Sequence, residues 1–485
     1  MGQVIGILPG LGPIATISLL LIFTLKLDLT AAIIMLAGIY YGAQYGGTIT
    51  SVLLKIPGEA STVVTIFDGH QMALQGKAGK ALGIAAFGSF IAGTFGTIMI
   101  SLIAPPLAKF ALVFGPAEYT ALIGLGLTLV VYLGSGSMVK GLLMAALGLA
   151  IGTIGMDPVT GVERFTFGSL TLMEGINIAP LAMGIFGIAE ILYMAESPAK
   201  RISRDLVKCP RKLRGLLPDR KDWRRSAMPI GRGTILGFLL GILPGGGAVI
   251  SSIMSYALEK KISKNPERFG KGAIEGVAGP ESANNSAISG CFIPLLTLGI
   301  PSNEVMALLI GAFMLHGVVP GPFILRDQPH LFWAIVTSMY IGNIILLILN
   351  IPLIRFSVKI LEIPYALLSP LIVFICLIGA YSVNNNPVDI LLISLFGVLG
   401  YIMRKFDYEA APLLLAFILG PIFEKSLRQM LILSHGSSWV LFSRPISRVL
   451  MSITILIILS PILKMLLKRV SKLTIFNWIR KSESL

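Results

Sequence analysis

The chain has 485 residues, of which 55% are hydrophobic and only 13% charged, with a formal net charge of +15 and a mean hydropathy of +0.85. Ordinary soluble domains carry roughly 25% charge. Thirty-nine basic and 24 acidic side chains are too few to coat a soluble particle of this size, so a soluble enzyme, a disordered scaffold and a secreted disulfide protein are excluded. The composition indicates an all-α polytopic membrane protein, and at about 20 residues per crossing the length allows about 10–12 membrane segments.

Apolar stretches fall at 14–26, 29–54, 80–104, 119–134, 138–155 and 172–195, then at 233–257, 286–300, 304–318, 331–354, 364–381, 388–403, 409–423 and 446–467. Several are too short to cross a bilayer alone and read as half-helices or re-entrant arms. Between the two groups, residues 200–232 carry twelve Lys/Arg against Asp205, Asp219 and Asp222. This is a basic connector, expected in the cytoplasm by the positive-inside rule, and docking to a lipid headgroup or partner is a second reading. The C-terminal tail repeats the signal with Lys468, Arg469, Lys472, Arg480 and Lys481. The charge is therefore topological, and nucleic-acid binding is not indicated. The connector divides the chain into a first transmembrane repeat (1–199) and a second (233–485). Residues 233–257 have basic groups on both sides, so a full crossing and a hairpin returning to the connector face are both open.

Two motifs recur across that divide. GILPG at Gly6–Gly10 returns at Gly241–Gly245, and Ile56-Pro57-Gly58 is echoed by Ile300-Pro301-Ser302. The same order in both halves indicates two homologous repeats. Proline removes a backbone donor and glycine permits non-helical dihedrals. Pro9, Gly10, Gly12, Pro244 and Gly245 are therefore expected to break helices at membrane depth, with a simple kink as the alternative.

Polar, small residues cluster near these breaks. Gly46, Gly47 and Thr48 follow an apolar run, and Lys55–Thr62 contains Pro57, Gly58, Glu59 and Ser61. The second half offers Gly279–Ser286, then an apolar arm to Pro301 and Ser302. Each half reads as a helix–turn–helix hairpin with a Pro-small-polar tip. A helix starting at such a tip presents free N–H groups and a positive dipole end, suited to a carboxylate. Gly46, Gly47, Thr48, Pro57, Gly58, Glu59, Ser61, Pro301 and Ser302 are thus candidate substrate-binding residues. Carbonyls freed by unwinding, with Asn, Ser and Thr oxygens, suit Na+; Asn284, Asn285 and Ser286 are the candidates for the cation. Interhelical hydrogen bonding is the plainer role for the asparagines, and helix capping for Glu59 and Glu281. The segment 157–167 reads as a polar loop in which Arg164 either attracts an anion or forms an ion pair. Cys209, Cys291, Cys376 and the four histidines are scattered, and no nucleotide fold or catalytic triad is evident. An enzyme and a cofactor are not expected.

The stretches GILPGLGP (6–13), AGIYYGAQYGGTIT (37–50), IPGEAS (56–61), RFTFG (164–168), GILPGGG (241–247), FGKGAIEGVAGPESANNSA (269–287), LGIPS (298–302) and HGVVPGP (316–322) resemble the large transmembrane subunit of the tripartite tricarboxylate transporter family. The resemblance implies a permease for tricarboxylates or related carboxylates, driven by Na+ or H+ symport in the cell inner membrane. It implies two partners, a small four-helix membrane subunit and a periplasmic solute-binding protein, and a fold like the ion-transporter superfamily, with inverted repeats and re-entrant hairpins. Two departures stand out. Only five residues precede the first GILPG, so a truncated N-terminus is the expectation. The second hairpin reads GIPS where the family usually has GIPG, so Ser302 narrows backbone freedom at that tip. A ligand-binding membrane sensor or scaffold without transport, and a channel, are the other functional readings.

Overall fold

The computed structural model describes residues 2–7, 12–134, 137–157, 159–196, 217–360, 370, 372–378, 381 and 386–460, the side chains of 351–360 excepted. Pro9, Gly10, residues 200–216 of the connector, half of 364–381 and the C-terminal tail lie outside the described residues. The chain is an all-α membrane protein. Before the connector come α1 (Gly2–Ile7), α2 (Gly12–Leu20), α3 (Leu29–Leu54), α4 (Ala78–Ala111), α5 (Pro116–Leu133), α6 (Met138–Gly152) and α7 (Ile178–Glu196). After it come α8 (Arg220–Ile242), α9 (Gly247–Ile262), α10 (Glu275–Leu298), α11 (Glu304–Leu315), α12 (Pro329–Ile360), α13 (Pro387–Lys405), α14 (Ala410–Leu433) and α15 (Pro445–Ser460). Six helices are long and apolar enough to cross a bilayer, namely the one that includes α4, then α5, α7, the 329–350 part of α12, α13 and α14. The inner helices differ. Every residue of α10 from Gly276 to Thr297 is buried, so protein rather than lipid surrounds it.

Glycine sets how closely the inner helices cross. A Cβ on Gly6 would lie 2.0 Å from the Ala43 carbonyl oxygen, and one on Gly241 would lie 2.2 Å from that of Ala287. Gly2 meets Ile39 as Gly237 meets Ala283, and Gly46 meets the Gln3 carbonyl as Gly290 meets that of Phe238. All these pairs match at the spacings set by the two sequence motifs. The termini match as well. α2 begins at Gly12 (φ 45°) and α9 at Gly247 (φ 53°), while α3 ends on left-handed Lys55 (φ 58°) and α10 on left-handed Gly299 (φ 70°).

Several expectations change. Residues 279–286 are not a tip; they lie inside α10. Small residues let this stretch pack backbone to backbone on α8, and Pro280 is near enough the start to be tolerated. Likewise 40–48 is the interior of α3. The chain breaks instead at 55–59 and 299–303. Residues 220–232 of the basic segment are helical, because Asp219 and Asp222 form a reciprocal capping box at the start of α8. Lys80 pairs with both carboxylates at 2.5 and 2.9 Å. Residues 233–257 form a hairpin. α9 folds back beside α8, and Arg232 grips Glu259 through two hydrogen bonds of 2.8 and 2.6 Å.

The 157–167 loop carries a small antiparallel pair, β1 (Gly155–Met156) and β2 (Glu163–Arg164). Arg164 pairs with Glu424 at 2.8 Å and Arg428 with Asp157 at 2.9 Å, which ties the loop to α14. The Val159 and Thr160 backbone N–H groups, with Arg428, hold the Asp157 carboxyl down to about 2. A depressed carboxyl stabilises the fold above its ordinary value and ceases to as pH falls through the folded value. Hydrogen exchange in this loop should therefore stay slow in mild acid and quicken only as the pH falls from 3.8 toward about 2.

Glycine crossing is testable by size alone. Gly237→Ala places a methyl 2.0 Å from the Ala283 carbonyl and should cost about 1–3 kcal/mol, as overpacking does. Gly231, on the same helix, has nothing within 4 Å; Gly231→Ala should be neutral or stabilising by up to about 1 kcal/mol. Thermal midpoints in detergent check both.

Candidate functional site

In each half the later break packs near a GILPG motif. Gly58 abuts the Gly6 carbonyl near the end of α1, and a Cβ there would lie only 2.1 Å from it and 2.6 Å from Gly47 Cα. In the second half the Gly245 N–H donates to the Ser302 carbonyl at 2.8 Å. Ser302 is thereby joined to Gly245, which with Pro244 has left the helix at the end of α8.

The helices that restart after the breaks are capped by the chain itself. Glu59 accepts from the Ser61 N–H at 2.7 Å and from the Ser61 hydroxyl. Asn303 Oδ1 accepts from the Met306 N–H at 3.0 Å. The N–H groups expected to be free for a carboxylate are thus partly occupied, in the first half by a carboxylate of the chain's own. Gly47 packs on the Glu59 backbone and on Thr62, and Ser61 also touches Gln44 Oε1.

The halves then join through buried polar groups. Asn303 Nδ2 donates to Tyr40 OH at 3.0 Å, which ties the second break to α3. Glu59 lies within electrostatic reach of Tyr40, Glu281 and Glu304. Thr48 Oγ1 donates to Glu281 Oε2 at 2.8 Å, and Thr65 Oγ1 donates to Glu281 Oε1. Asn284 Nδ2 reaches Glu281 at 3.4 Å, while Asn285 Nδ2 reaches Asn284 Oδ1 at 2.8 Å and Ser89 Oγ at 2.7 Å. The asparagine amides therefore make interhelical and neighbouring hydrogen bonds here. Ser286 is buried on α10, and its hydroxyl has no hydrogen-bond partner among the described residues.

The candidates fall into two linked groups. Gly46, Gly47, Thr48, Pro57, Gly58, Glu59 and Ser61 form one group, and Glu281 joins Asn284 and Asn285 to it. Pro301, Ser302, Pro244 and Gly245 form the other, linked through Asn303 and Tyr40. Gly12 stands at the start of α2 in open space. Pro9 and Gly10 are not described. Among the described residues no group of three or more His, Cys, Asp or Glu is placed to hold a metal ion.

Sequence reasoning missed Asn303, although the motif spacing that pairs Pro57 with Pro301 also pairs Glu59 with Asn303. It also missed Ser89, which carried no signal of its own. Thr65 and Asp68 continue the polar stretch that starts at Lys55. Asp68 Oδ1 accepts from the N–H groups of Gly270, Gly272 and Ala273 at 2.9, 2.8 and 2.7 Å, and its Oδ2 accepts from Tyr256 OH at 2.9 Å. It is fully buried and fastens the first half to the loop ahead of α10. Asp68→Asn keeps one carbonyl oxygen for the three N–H groups and should cost little. Asp68→Ala orphans all three, at about 1–3 kcal/mol each, and should lower the thermal midpoint far more than the asparagine variant.

Residues 1–415 match the family described as "Tripartite tricarboxylate transporter TctA family". The chain is 51% identical over 453 residues to an uncharacterized 52.8 kDa protein in the TAR-I ttuC' 3' region of Agrobacterium vitis, covering 93% of this chain and 89% of that one. It is 53% identical over 227 residues to an uncharacterized protein in the TAR-II ttuC' 3' region of the same organism, covering 47% of this chain and 94% of that one. No solved structure matches the chain.

Proposed function

The chain belongs to the tripartite tricarboxylate transporter TctA family, and on that premise we propose that it takes up tricarboxylates or related organic carboxylates by cation-coupled symport. It is the large permease subunit, working with a small membrane subunit and a periplasmic solute-binding protein in the inner membrane. The connector and the C-terminal tail face the cytoplasm, following the positive-inside rule.

One observation carries the reading. Chain breaks at 55–59, 243–246 and 299–303 lie near three acids, fully buried Glu281 and half-buried Glu59 and Glu304, and no ion pair among the described residues neutralises any of the three. An anion entering such a site adds to its negative charge. It is accommodated only if cations arrive with it, which is the requirement for symport. Broken helices supply the remaining attraction through backbone N–H groups. In this reading Gly46, Gly47, Thr48, Pro57, Gly58, Glu59, Ser61, Pro301 and Ser302 contact substrate as the Glu59 and Asn303 caps give way. Asn284 and Asn285 shape the cation side through Glu281.

The relative sense of the halves supports inverted repeats. After its break the first half reaches the connector face, where Gln75 Nε2 donates to the Lys271 carbonyl at 2.8 Å. α10 of the second half starts from that same face, where Glu275 pairs with Arg225 at 2.8 Å. Of the equivalent segments 29–77 and 273–321, the first therefore ends at the face where the second begins.

Labelled citrate uptake by cells carrying all three components is the test. Uptake should need the binding protein and stop when the ion gradients are collapsed. Uptake that simply follows the citrate gradient, indifferent to the binding protein, would mean a channel.

A further inference from the structure

Glu281 is fully buried on α10, and its partners there are neutral: Thr48, Thr65 and Asn284. The titratable groups facing it from the first half are another acid, Glu59, and the phenol of Tyr45. From α9, Glu259 packs one turn away at Gly279, but it is bound to Arg232 of α8. From α4 the neighbour is Ser89. Asp68, near Thr65, is taken up by its own four donors. A carboxylate so placed, without a counter-charge, favours its neutral form.

The hydrogen-bond geometry fits both forms. Thr48 Oγ1 lies 2.8 Å from Glu281 Oε2 and 3.1 Å from the Gln44 carbonyl. A hydroxyl has one hydrogen to give. Donated to the Gln44 carbonyl, it leaves Thr48 Oγ1 to accept from a protonated Glu281. Donated to Glu281, it satisfies the ionised carboxylate. On the same face of α3, Gln44 Nε2 is buried with no partner among the described residues. Thr48 and Thr65 come from the first half and Glu281 from the second, so this bond between the halves changes with the proton.

We propose that the coupling ion is a proton and that Glu281 carries it. This rests on the transport reading above. One proton binds a Glu281 oxygen from one side of the membrane and leaves that oxygen to the other, and no other bond is made or broken.

Infrared difference spectroscopy of the purified full chain in lipid tests the protonation directly. A protonated-carboxyl band should be present at neutral pH, fade in alkaline buffer and ignore added sodium chloride. It should be lost in Glu281→Gln, which keeps the side-chain shape, and retained in Glu281→Asp. Absence of the band in the wild type, or its loss on adding sodium at constant pH, overturns the proposal. In cells with all three components, an imposed pH gradient should drive labelled citrate accumulation. Glu281→Gln should lose that accumulation. Wild-type accumulation that answers only to a sodium gradient, or undiminished pH-driven accumulation by Glu281→Gln, also overturns it. A wild type that moves no citrate although the Glu281 band is intact overturns the transport reading itself, separately from the protonation of Glu281.

Discussion

The structure depends on backbone meeting backbone where α1 crosses α3 and α8 crosses α10. Glycine makes this possible; a Cβ on Gly6 or Gly241 would fall about 2 Å from a facing carbonyl oxygen, well inside van der Waals contact. In lipid, helices gain little from hiding apolar side chains, so close backbone approach and polar contacts hold them together. Once each crossing is fixed, the chain breaks that follow are fixed too. That is why Gly58 lies against Gly6 and the Gly245 N–H reaches Ser302.

The polar interior divides into two kinds of site. Asp68 is saturated by three backbone N–H groups and a tyrosine hydroxyl. Such an acid is a fastener, because protein donors stand in for water on both of its oxygens. Glu281 has hydroxyls and an amide around it instead. Hydroxyls can reverse the direction of their hydrogen bonds and backbone N–H groups cannot, so one acid holds and the other can change state. Asp68 ties the first-half arm to the loop ahead of α10, and Glu281 ties α10 itself to that arm and to α3.

Much of this was legible from residue types. The spacings of GILPG and of its companion motif carry over to left-handed Lys55 and Gly299 and to the caps Glu59 and Asn303. The segment Gly279–Ser286 was read as a tip because proline, glycine and asparagine are turn residues in water. Here their small size serves packing: α10 is surrounded by protein, and Pro280 interrupts only one bond near its beginning. Ser89 and Asn343 gave no signal, since a lone hydroxyl or amide in an apolar run shows its role only when its partner is known. Asn343 accepts from Tyr45 OH at 3.0 Å across nearly three hundred residues of chain.

The sequence by itself determined the membrane setting and the helical class, and it put proline and glycine where the chain leaves the helix at 55–59, 243–246 and 299–303. Those follow from composition and from the backbone chemistry of proline and glycine, which is local. The tertiary structure alone decided which breaks meet, which caps fill the helix ends and which neutral groups surround Glu281. Those depend on residues far apart in the chain being brought within hydrogen-bond distance, and the crossing glycines bring them there.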